Sequence, residues 1–240
     1  MTRESENTLL LLVGVSLGLI CASGAFTRYV KPGQLPWLLG TAAFLMVLAL
    51  AAIAADLRRG GPASAHDDGH GHRSGSPWLL AVPVVVLIFI SPPALRAQPN
   101  TPPVSTAADS SSYHHFPPLP AGPAPDVSLP DAVLRAANDT SGSLNGRTVT
   151  ITGFVLHEPA GVDLGRIVIV CCAADAQLAR IHLRGNAAQA ASALADNSWV
   201  RAVGVVTPAV RRPDQAPIPT LNVTAVHPVD APANPYAYPR

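Results

Sequence analysis

The chain has 240 residues, 48% of them hydrophobic and 13% charged, against roughly 25% charged in an average soluble domain. Part of it is therefore expected in lipid. A formal net charge of +1 leaves no global basic field, which argues against nucleic acid as a partner.

Thr8 to Phe26 is uncharged and about one bilayer long, and Leu35 to Ala55 is a second such run, with Trp37 near one end where an indole favours the interface. A third run, Trp78 to Ile90, reaches spanning length only if Ser91 to Leu95 are included. Two to three transmembrane helices are thus expected within residues 1–95. The leading segment MTRESEN carries one Arg and two Glu, and Ile20 rather than a small residue precedes Cys21. Both features disfavour a cleaved or lipidated signal peptide. With three spans, Arg3, Arg58, Arg59 and Arg73 fall on one side, and Arg28, Lys31 and Arg96 on the other. The positive-inside rule then puts the N-terminus in the cytoplasm and the C-terminal part outside it, on a multi-pass protein of the cell membrane.

The loop 56–76 contains His66, Asp67, Asp68, His70 and His72 interleaved with glycine. Imidazoles and carboxylates in such a tract either wrap a divalent metal or simply solvate a flexible loop. Residues 96–130 are rich in Pro, Ser, Thr and Ala, interrupted by Tyr113-His114-His115-Phe116. An extended tether is the expectation there.

Residues 131–240 read as a small all-β domain. A short helix through Ala137 precedes it, capped by Ser128 with Pro130 in its first turn. Thr148 to Leu156 alternates, with Val149, Ile151 and Val155 on one face. Ile167 to Cys172 is apolar on both faces, so a buried strand is expected. Ala179 to Leu183 alternates again, Asn186 to Leu194 is Ala-rich and helical, and Trp199 to Val206 and Thr220 to Val226 supply two more strands. Three strands, a helix and two strands is the order of the OB-fold, a five-stranded partly open barrel.

The sharpest feature is Cys171-Cys172-Ala-Ala-Asp175. Neighbours on a strand point to opposite faces, so a bond between the two cysteines is not expected. The thiols are either small core residues or zinc ligands, in the second case together with Asp175 and with His157 or His182 as a further donor. No Ser-His-Asp arrangement, phosphate loop or spaced His-Glu zinc motif is present, and the chain is not expected to be an enzyme. A thiol enzyme is the remote alternative.

The stretches IVIVCCAADA, ITGFVLHEP, WVRAVGVV and PYAYP, behind hydrophobic runs and a His-rich loop, resemble the YcgQ-like family of bacterial membrane proteins. The resemblance covers most of the chain, and its Cys-Cys-x-Ala-Asp-Ala element is its most specific part. It implies an accessory subunit that accompanies a multi-spanning permease in a two-component system, with a link to metal homeostasis, zinc in particular. The family has no established catalytic residues to carry over. A metal-binding protein outside the cytoplasm, using His66, His70, His72, Cys171, Cys172 and Asp175, is the alternative expectation.

Overall fold

A computed structural model describes residues 3–58, 95, 103–104, 116–208 and 218–238. The chain divides into two compact units, Met1–Ala94 and Leu95–Arg240. The third hydrophobic run and the His-rich tract lie outside the described residues.

In the first unit, α1 (Arg3–Ala22) and α2 (Leu35–Arg58) form a hairpin. Gly24, in the left-handed region at φ 72°, follows the end of α1, where a side chain would be strained. Pro36 sits in the first turn of α2, where no intrahelical N–H is needed, and Arg58 lies in its last turn, complementing the helix dipole. Small residues let the helices approach. Ala42 and Ala49 are buried, and a Cβ at Gly14 would come within 2.9 Å of the Met46 Cγ. Close backbone approach of this kind is how helices associate without a hydrophobic drive between them. Asn7 donates to Asp56 across the open end at 3.2 Å. The outward side chains, among them Trp37, Phe44, Val47 and Leu57, are exposed and apolar. Among the described residues one helix, Pro32–Arg58, is long and apolar enough to cross a membrane; the apolar part of α1, Glu6–Ala22, is shorter.

In the second unit, α3 (Leu129–Asn138) begins where Ser128 accepts a hydrogen bond from the Asp131 amide at 3.3 Å, with Pro130 in the first turn. It buries Leu129, Ala132 and Val133. Arg135 is also buried, but its guanidinium is satisfied by Asp131, Ser143 and the Pro117 carbonyl, and it lies over Phe116. Residues 125 and 127 pair with Thr150, so this part of the Pro-rich segment runs along the domain.

Five strands follow: β1 (Thr148–Glu158), β2 (Gly161–Val168), β3 (Gln177–Arg184), β4 (Trp199–Thr207) and β5 (Thr220–Pro228), with α4 (Ala188–Ser192) between β3 and β4. The mixed sheet runs β1-β2-β3-β5-β4 and returns from β4 to β1. Only β3 and β5 are parallel. β1 serves two partners, pairing with β4 up to Phe154 and with β2 from Phe154 onward. At that change of partner a Cβ on Gly153 would meet the Gly165 carbonyl at 2.7 Å, so glycine is required for the close approach. The inward set is Val149, Ile151, Val155, Leu164, Ile181, Val200 and Leu221, all fully buried. Each such side chain contributes about 1.5–3 kcal/mol relative to exposure.

The expected strand over Ile167 to Cys172 is displaced. β2 spans Gly161–Val168 instead; Ile169 is buried, while Val170 and Cys171 are exposed. The amides of 170–172 leave the ladder because a side-chain carboxylate takes them. The end of β2 has a second partner: Ala237 donates to the Ile167 carbonyl at 2.8 Å and accepts from the Ile169 amide at 3.0 Å.

Candidate metal centre

The loop after β2 is organised by Asp175. One of its oxygens, Oδ1, accepts from the Val170 amide at 2.8 Å; the other, Oδ2, accepts from the amides of Cys171 at 2.7 Å and Cys172 at 3.1 Å. Residues Ala173–Asp175 form a 3-10 turn that brings the carboxylate back over these amides. The result is a tight loop in which both thiols and the carboxylate share one side. A ligand atom from each of Cys171, Cys172 and Asp175 lies within 4.8 Å of the others. A strand would have sent the two thiols to opposite faces; leaving the strand is what brings them together. All three cysteines of the chain are free thiols, Cys171 exposed and Cys172 half-buried.

Electrostatics fit a cation. The Cys171 thiol is pushed up to about 11, first by its hydrogen bond to the Asp175 carboxylate and then by Cys172. Desolvation pushes Asp175 upward, but the Cys171 thiol and the three amides outweigh it and hold the carboxyl down to about 2. At neutral pH the loop therefore carries the Asp175 carboxylate charge beside a Cys171 thiol held in its protonated form. Protonated thiols are weak nucleophiles, and a soft cation reverses the balance by stabilising the thiolates.

The two histidines considered as further donors are elsewhere. His157 is tied through Nδ1 to Asp196 at 2.8 Å and through Nε2 to the Ser192 carbonyl at 3.2 Å. The Asp196 carboxylate raises its pKa above 6.5. His182 bonds through Nδ1 to Asp163 at 2.5 Å. Neither belongs to the Cys171, Cys172 and Asp175 group. His66, His70 and His72 lie outside the described residues.

Sequence reasoning missed the network around Asp163. This carboxylate is 1% exposed, accepts twice from Arg180, at 3.0 and 2.6 Å, and pairs with His182 on its other oxygen. Arg180 also reaches Glu158 at 2.8 Å. Register places Asp163 opposite His182. A polar residue inside Val-Asp-Leu was the available signal, since a buried charge requires partners.

A small closed sheet with a thiol-rich loop on its rim is thus the class that fold and site define. Residues 132–239 match the family model of the DUF1980 C-terminal domain, a likeness confined to the C-terminal part of the chain. No curated protein and no solved structure matches the chain.

Proposed function

We propose that this chain is a membrane-anchored accessory subunit of a permease complex, and that its rim loop captures a soft divalent cation, with zinc the candidate. The strand order and the single parallel β3–β5 contact support an OB-type barrel, a fold whose role is binding. The apolar α2 hairpin supports the anchor, as a member of a multi-pass region with the domain outside the cytoplasm. The permease partner comes from the resemblance to the YcgQ-like family. The observation that carries the metal reading is the gathering of two thiols and a carboxylate within 4.8 Å of one another on an exposed loop. Thiolate donors favour zinc and softer ions over magnesium or calcium.

The test is purification of the full chain from native membranes, with metal analysis and mass spectrometry of whatever accompanies it. Stoichiometric zinc, lost in the Cys171→Ser, Cys172→Ser double variant, together with a multi-spanning partner retained by both proteins, is the expected result. Equal zinc in the double variant removes the metal reading. Absence of any multi-spanning partner removes the permease reading.

A further inference from the structure

Resting on the metal-capture reading, we infer that the Cys171–Cys172–Asp175 loop is a hand-off site, which passes its cation to a thiolate- or imidazole-bearing segment of a second protein. Oδ2 of Asp175 already accepts two amide hydrogens, from Cys171 and Cys172, and Oδ1 accepts one from Val170. A carboxylate oxygen has two acceptor positions, so only one at Oδ1 remains without dismantling the turn. Among the described residues the loop therefore supplies three side-chain donors: two sulfurs and one oxygen. Among the described residues no fourth His, Cys, Asp or Glu joins the group. His157 and His182 are held by Asp196 and Asp163.

Zinc sites that store or staple are closed by four protein ligands, whereas three ligands leave a position open. Here the group lies on an exposed loop, where an incoming ligand could reach a bound ion. Cys171 is exposed, and Val170 beside it is 45% exposed, which offers an incoming chain an apolar contact next to the ion. A receiving thiolate or imidazole enters the fourth position before either cysteine leaves. The bonds from the ion to the two Sγ atoms then break as bonds to the receiver form, and the cysteines take up protons, released by receiving thiols or drawn from water where the receiver is a neutral imidazole. The amides of 170–172 stay on Asp175 throughout, so the empty loop keeps its shape for the next ion.

The experiment uses the full chain in detergent with Cys21→Ala, which removes the third thiol, loaded with zinc and mixed rapidly with a chromophoric chelator. One ion per chain is expected, on a protein whose mass is the same with and without zinc, and a release rate that rises in proportion to chelator concentration. One ion per two chains with a doubled mass would mean that a second copy closes the site, and overturns hand-off while leaving capture intact. A release rate independent of chelator overturns it equally, because the ion must then leave a closed shell by itself. If no zinc is retained, capture itself fails, and hand-off with it. Cys171→Ser keeps the Asp175 clamp and is expected to lose zinc with the far-ultraviolet circular dichroism unchanged.

Discussion

Asp163 and Asp175 are both well-bonded carboxylates, and they are opposites. Asp175 is held mainly by three backbone amides of its own loop, joined by the Cys171 thiol. The donors to Asp163 are the side chains of Arg180 and His182 on the neighbouring strand, so two functional groups are consumed in three bonds. The first arrangement frees chemistry on a surface; the second uses charged groups to join β2 to β3.

The strongest way to break this contrast is at Asp163. Asp163→Ala leaves Arg180 without its buried counter-charge, and a loss of about 3–5 kcal/mol is expected in chemical denaturation of the full chain. A loss below about 1 kcal/mol would place the network among ordinary surface pairs. Asp175→Asn comes next. An amide keeps one acceptor oxygen but not two, so a loss of about 0.5–2 kcal/mol, comparable to losing a helix cap, is expected, together with loss of zinc. Retained zinc in that variant would show that the carboxylate serves the turn alone. Cys171→Ser sharpens the comparison from the other side: stability within about 0.5 kcal/mol of the parent, as for an exposed position, with zinc gone.

Smaller effects follow from pH. Desolvation pushes Asp139 upward, but the hydroxyls and amides of Ser141 and Ser143 outweigh it and hold it down to about 2 from 3.8. A folded pKa below the unfolded one stabilises above the unfolded value, and that contribution is lost as pH falls through the folded one. Asp139→Asn should therefore flatten the fall in stability between the ordinary 3.8 and about 2; an unchanged acid limb would show that other carboxylates carry it. His157 has the opposite sign. Its pKa is raised, so its contribution is present below 6.5 and lost as pH rises through the folded value. An NMR titration of the ring should show the raised midpoint in the parent and a fall toward the ordinary value in Asp196→Asn.

What was legible in the sequence was whatever is decided locally. Ser128 and Pro130 announced α3, and the alternation around Val149 and Ile151 announced β1. The order of three strands, a helix and two strands could be read directly, as could Cys171, Cys172 and Asp175, which lie four positions apart. The register of β2 was not legible. Ile167 to Cys172 looks like the natural apolar strand, and Gly161 to Arg166 looks too polar. Asp163 is made tolerable by residues 17 and 19 positions away, and the strand stops early because Asp175 competes for the amides. Both causes are tertiary, so no window of sequence contains them. The gathering of the thiols was legible only as one of two alternatives, since a regular strand would have kept them apart and only departure from it brings them together.

Because Asp175 grips the main chain, the shape of the loop depends less on the identity of positions 170 to 172 than on their amide hydrogens. Any residue with an amide hydrogen satisfies the clamp, and only proline, which lacks one, is excluded. The loop is in that sense an interchangeable socket. If the proposed metal reading holds, replacing Cys171 by histidine, or both cysteines by histidine and aspartate, should change which ions the loop prefers while the Asp175 amide bonds and the sheet beneath them stay in place.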